Sequence, residues 1–212
     1  QVYAQLETVR EVKKSAVERY FSNVKEQVIT VSQNPYVQEA MQNFSSAFRH
    51  PTSLRIESSI EPQEEQLLKQ FYQTQFGNKY QQENDGKKVN QSALLASLDP
   101  AAKIFQSKYI VQNPHPLGSK NALMAAEDNS QYSLLHSRYH PYFNRYLEKF
   151  GYYDIFLVDA QSGHIVYSVF KELDFATSLL TGPYANSNIA DAFLEARQLE
   201  PGEFAITDYQ AY

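Results

Sequence analysis

Neither glycine nor proline occurs before Pro35, and this uninterrupted opening constrains the fold more than any other feature of the chain. Apolar or small residues recur at Val2, Leu6, Val9, Val12, Ala16, Tyr20, Val24, Val28 and Val31, at spacings of three and four. That is the period of a single helix face. Glu11, Lys14 and Glu18 lie off this stripe, at spacings that favour ion pairs along a helix. Residues 1–33 are therefore expected to form one helix, about 50 Å long from the helical rise per residue. Asn34-Pro35 ends it. The pattern suits two roles: a member of an amphipathic bundle, or a rod that carries displacement over a distance.

Helical periodicity continues for most of the next hundred residues. Val37, Met41, Phe44 and Phe48 mark a helix after Pro35, closed at His50-Pro51-Thr52-Ser53. Pro62, followed by Glu64 and Glu65, is a helix start, since proline and acids suit the first turn. Leu67, Leu68, Phe71, Tyr72 and Phe76 supply its apolar face, and Asn84-Asp85-Gly86 marks a turn. Asp99-Pro100 reads as an N-cap and first helical position, leading through Ile104, Phe105, Tyr109 and Ile110. Asn113-Pro114-His115-Pro116-Leu117-Gly118 cannot continue a helix; it is a built loop or a flexible one. A further helix beginning near Asp128 or Ser130 buries Tyr132, Leu135, Tyr139, Phe143, Tyr146, Leu147 and Phe150. Pro141 is expected to kink or divide it, and Gly151 to cap its C-terminus.

After Gly151 the pattern changes. Residues 152–158 and 164–170 are β-prone runs separated by Asp159-Ala160-Gln161-Ser162-Gly163, the signature of a β-hairpin. Alternation places Tyr152, Asp154 and Phe156 on one face, and puts Ile165, Tyr167, Val169 and Lys171 together on another. A short helix is expected from Asp174, another from Ser187 or Asn188 to about Arg197, and a third strand at 204–208 after Pro201-Gly202. The fold class is thus α+β: a long N-terminal helix and helix-rich first part, then an antiparallel sheet. Three strands leave open edges, so completion of the sheet is expected beyond Tyr212. The division is residues 1–130 as a helical module and 131–212 as the sheet-bearing segment. The chain opens in mid-pattern and stops without a terminating signal, as a piece of a longer protein would.

Composition narrows function mainly by exclusion. There is no Cys, hence no disulfide, thiolate metal site or cysteine nucleophile. The net charge of -5 and the lack of a Lys/Arg run argue against nucleic acid as a partner. No glycine-rich phosphate cradle and no GxSxG elbow occurs, so no catalytic residues are assigned. The 16 Tyr and 13 Phe, without any Trp, make aromatic rings a large part of the core. Tyrosine hydroxyls seek partners when buried, which suits either a tyrosine-rich core or the wall of a polar pocket.

His136 and His140, four apart on a helix, could face one metal ion, but no third ligand accompanies them. A hydrogen-bonded structural pair is the expectation, with no metal and no cofactor. The hairpin and its sequel gather Tyr152, Asp154, Tyr167, Lys171, Asp174 and Tyr184. Polar groups set among aromatics at the ends of elements fix the orientation of small ligands. The same charges would equally serve as a solvated loop.

Residues 150–159, 165–172 and 178–184 resemble the Cache (PAS-like) sensory domain of bacterial methyl-accepting chemotaxis proteins and related receptors. The Asn113–Gly118 loop, the run His136-Ser137-Arg138-Tyr139-His140-Pro141 and the opening helix from Val9 to Phe21 are similar to that group as well. The resemblance implies a periplasmic domain of a bacterial inner-membrane protein, held by membrane helices outside this chain. It implies a homodimeric chemoreceptor, with histidine-kinase or cyclase outputs as alternatives. It also implies a small-molecule ligand near Tyr152, Asp154, Tyr167, Lys171, Asp174, Tyr184 and Asp208. The arginine-rich signature of amino-acid sensors is absent, so the ligand stays open. The competing reading is a helical protein-interaction module without a small-molecule ligand.

Overall fold

The computed structural model describes residues 2–49, 60–208 and 210. The first helix, α1, runs unbroken over Val2–Ser32. Every side chain described from Val2 to Asn23 is exposed, including Leu6, Val9, Val12 and Tyr20. Only the last turns dock, with Val24, Gln27, Ile29 and Val31 half-buried. The apolar stripe thus has no partner within the described residues for most of its length. None of the described helices is long and apolar enough to cross a membrane.

Asn34 turns the chain by accepting from the Tyr36 amide, and α2 follows over Pro35–Arg49. The expected stop at His50–Ser53 lies outside the described residues. Pro62 starts α3 (Pro62–Phe71), which passes through a π-helical turn, Tyr72–Phe76, into α4 (Gly77–Glu83). The short α5 covers Gln91–Ala96. Asp99 caps α6 (Pro100–Gln106) by accepting from the Ala102 amide at 2.8 Å, and a second π-helical turn, Ser107–Val111, extends it. The proline-rich loop is built rather than loose. Asn113 donates to the carbonyls of Tyr109 and Lys120, and the buried Lys120 ammonium donates back to the Asn113 carbonyl.

Helix α7 spans Gln131–Phe150, capped by Ser130 and closed by Gly151 in the left-handed conformation. Pro141 lies inside this one helix and does not divide it in two. Tyr139, His140 and Phe143 are all buried around the proline, so packing on both sides holds the helix where local propensity would break it. The core is continuous from α2 through α6 and α7 to the hairpin. Phe44 stacks on Tyr167 at 5.0 Å and Phe48 on Phe105 at 4.5 Å, contacts worth about 1 kcal/mol each beyond burial.

The hairpin forms with shorter strands than the sequence suggests: β1 is Phe156–Val158 and β2 is Ile165–Ser168, antiparallel with a bulge at Leu157/Val158. No strand forms at 204–208 and no helix starts at Asp174. The segment after the hairpin folds back beside the start of β2, pairing His164 with Ser178. The Ile165 amide donates to Thr177, and Ala176 and Leu179 donate to Ile165 and Gly163. This segment therefore takes the outer edge of β2 at its start. Helix α8 (Asn188–Ala196) then covers Ile165 and Leu179 with Ala190 and Phe193.

Candidate functional site

Lys171 is the feature around which the site is organised. It follows β2 in the left-handed conformation, φ +56°, and is fully buried. That turn ends the expected alternation: Lys171 does not share a strand face with Tyr167 and Val169 but folds back beneath them. Its Nζ donates to the Ser168 carbonyl at 2.6 Å and the Val169 carbonyl at 3.2 Å. Three ring faces surround it, Tyr167 at 4.9 Å and Tyr109 and Phe175 at 5.9 Å. An ammonium over aromatic faces is attracted by their quadrupoles. Burial nevertheless pushes Lys171 down to about 7, against the charge of Asp154, which favours the ammonium.

Asp154 fastens the hairpin from the other side. Its carboxylate accepts from the Ser168 hydroxyl at 2.7 Å and from the amides of Ile155 and Val169. The Ser168 hydroxyl in turn accepts from the Lys171 amide. Burial raises Asp154, and these hydrogen bonds hold it down. Lys171 and Asp154 are thus drawn toward each other, the cation down and the acid up.

Two imidazoles of α7 complete the shell. His136 and His140 stack at 4.4 Å. Nδ1 of His136 is 2.6 Å from the Met124 carbonyl, so that nitrogen carries the proton. Its Nε2, fully buried, is then a lone pair with no hydrogen-bond partner among the described residues. His140 has the opposite arrangement. Nε2 meets the Asn121 carbonyl at 2.7 Å and must be the donor, so Nδ1 accepts from the Tyr167 hydroxyl at 2.6 Å. Burial, then the charge of Lys171, holds His136 well below the usual imidazole range and takes His140 to about 3. Both are neutral at physiological pH.

Among the residues expected to bind ligand, Asp154, Tyr167 and Lys171 come together in this cluster. Asp174 is buried. Its charge, with that of Glu172, acts on Tyr184, whose hydroxyl burial has already raised. Tyr152 is half-buried and turns to α1: its hydroxyl donates to Oε1 of Gln27 at 2.6 Å. Asp208 is exposed, outside the buried cluster, and its carbonyl accepts from Asn188 at the start of α8. Sequence reasoning missed Tyr109, Tyr132 and Phe175, and set His136 and His140 apart as a structural pair. The helical spacing of Tyr132, His136 and His140 was the available signal.

Both π-helical turns face this region. Tyr109 lies on one. Tyr72, on the other, donates to Oε1 of Gln106, whose amide nitrogen donates to the carbonyls of Leu173 and Phe175. Such turns recur at functional sites because they re-aim a side chain out of register. No group of three or more metal-ligating side chains occurs among the described residues. A shallow groove of about 550 Å³ lies elsewhere, between α3, α5 and α6, beside the Glu65–Lys103 ion pair. Comparison of the chain with protein-family models, curated proteins and solved structures returns no match.

Proposed function

We propose that this chain is the extracytoplasmic ligand-sensing region of a bacterial transmembrane receptor, on the periplasmic side of the inner membrane. A chemotaxis receptor is the first reading, with kinase or cyclase outputs behind it. The buried Lys171 within a shell of tyrosines and imidazoles carries the proposal. A buried amine, two histidines and a carboxylate each cost desolvation, which an apolar core would avoid. Perturbed titratable groups concentrated beside a hairpin mark a place built to meet polar chemistry. A small polar molecule engaging Asp154, Tyr167 and Lys171, with Asp174 and Tyr184 at the margin, is the ligand class these groups fit.

The way out of the site supports the same reading. Tyr152 precedes Asp154 by two residues and holds Gln27 on α1. Tyr146 of α7 donates to the Gln27 carbonyl at 3.2 Å. A displacement of the hairpin therefore has a direct contact through which to bias the long helix. Only a ligand that binds two arrangements unequally can do so. In the intact receptor the exposed stripe of α1 is proposed to meet a second copy.

A thermal-shift screen with amino acids, carboxylates, amines and nucleobases tests the proposal. A specific compound raises the melting temperature by mass action, and Tyr167→Phe weakens that rise. The exposed apolar stripe of α1 favours the second reading, a helical protein-interaction module. Absence of any hit across the four classes supports that module instead.

A further inference from the structure

The regulation of this site rests on the ligand-sensing reading, and its chemistry points to a proton as effector. We propose that Lys171 is a proton-operated switch: gain or loss of its third ammonium hydrogen sets whether the hairpin keeps its hold on the Tyr167–His140 pair and, through Tyr152, on α1.

Two of the Lys171 hydrogens are committed to the carbonyls of Ser168 and Val169. The third lies within the shell of Tyr167, Tyr109 and Phe175. In the ammonium form that hydrogen carries positive charge toward ring faces that attract it. In the amine form a lone pair takes its place. It then shares the shell with the partnerless lone pair on Nε2 of His136. The two protonation states therefore favour different packings of one small volume.

The groups facing Lys171 come from several elements. Helix α7 brings His136 and His140; the π-helical turn after α6 brings Tyr109; β2 brings Tyr167. Asp154 acts on it from before β1, and Glu172 and Asp174 follow it in the chain. Burial holds both imidazoles below their usual value and raises the tyrosine hydroxyls. Burial brings Lys171 down to about 7, and Asp154 is the carboxylate that favours its ammonium form.

The route outward is a chain of short hydrogen bonds. The Ser168 hydroxyl joins the Lys171 amide to Asp154. Asp154 grips the Ile155 amide, next to the segment that carries Tyr152 and its bond to Gln27. On the other side Tyr167 holds His140, and His140 holds the Asn121 carbonyl of the proline-rich loop.

NMR of the ligand-free protein with 15Nζ-labelled lysines tests the switch. The expected result is one lysine signal titrating near pH 7, while surface lysines remain charged past about pH 9. Loss of that signal in Lys171→Arg assigns it; where that variant does not fold, contacts from the signal to the Tyr167 ring do so. The backbone amides of Tyr152 and Gln27 shift with the same midpoint, and Asp154→Asn moves the midpoint to lower pH. A Lys171 signal that stays charged throughout, or that titrates while Tyr152 and Gln27 stand still, overturns the switch. A compound found by thermal shift whose affinity is the same on both sides of the transition overturns it too, and leaves the ligand-sensing reading intact. A titration with the expected coupling, alongside an empty compound screen, supports the switch and counts against the ligand reading alone.

Discussion

The hydroxyl of Tyr152 donates to Oε1 of Gln27 at 2.6 Å, joining the approach to β1 to the last turns of α1. The same residue stacks on Tyr146 with rings nearly parallel, and Tyr146 bonds the Gln27 carbonyl. Two tyrosines thus hold one glutamine of a helix that is otherwise exposed along most of its length. Tyr152→Phe keeps the stacking and removes the shorter bond. A loss of about 1 kcal/mol is expected, read by urea denaturation. Amide exchange should quicken in the last turns of α1 and leave α7 unchanged.

His136 and His140 lie on one face of one helix yet take opposite tautomers, because each meets a backbone carbonyl with a different ring nitrogen. Long-range 1H–15N spectra should show Nδ1–H for His136 and Nε2–H for His140. Their values are depressed below that of an unfolded histidine. As pH falls below about 6.5 the unfolded chain takes up protons that the folded chain refuses, so stability falls. Each histidine contributes a slope of about 1.4 kcal/mol per pH unit over its window, which for His140 extends down to about 3. His140→Gln should remove one proton's worth of that slope in acid denaturation.

The alkaline side behaves in the reverse of the ordinary expectation. Lys171 is depressed to about 7 and Lys120 is also lowered by burial. Between the unfolded lysine value, about 10.4, and the folded one, the unfolded chain binds the extra proton, so stability rises with pH. Buried Tyr72, Tyr132 and Tyr167 are raised well above their usual value. Above about pH 10 the unfolded chain therefore releases tyrosine protons that the fold keeps, and stability falls. The urea midpoint should peak between about pH 8 and 10 rather than at neutrality.

Asp99 serves two elements with its two oxygens. Oδ1 caps α6 through Ala102, and Oδ2 meets Nε2 of His164 at 2.6 Å. Asp99→Asn can keep the cap but loses the charge; Asp99→Ala loses both. The alanine variant should cost about 1–2 kcal/mol from the cap alone, and the asparagine variant less. The cap and His164 hold Asp99 below its usual value against the burial that opposes them. The contribution of its charge is present above the unfolded aspartate value and is lost as pH falls through the folded one, so Asp99→Asn should converge with the wild type in acid while Asp99→Ala stays less stable.

Local signals were legible where chemistry is local. The uninterrupted α1, the Asp99-Pro100 start of α6, the Gly151 stop and the existence of the hairpin all follow from propensity and capping. Tertiary competition was not legible. Pro141 stays helical because buried aromatics flank it, and residues 176–179, rather than 204–208, pair with the start of β2. Lys171 and Tyr167 were legible as site candidates from the hairpin. Their neighbours on α6 and α7 were not, because no spacing links Tyr109 or His140 to residues some thirty to sixty positions later. The left-handed turn at Lys171 hid its inward course for the same reason: a lysine after a strand ordinarily faces water.

The central claim is that a small polar molecule binds beside Lys171 and is felt on α1. Amide NMR of the protein, titrated separately with amino acids, carboxylates, amines and nucleobases, tests it most directly. The account predicts that a compound from one class shifts Asp154, Tyr167 and Lys171 together, with Tyr152 and Gln27 following on the same binding curve. It is contradicted if no class moves those residues, or if a saturating compound moves the hairpin and leaves Gln27 where it was.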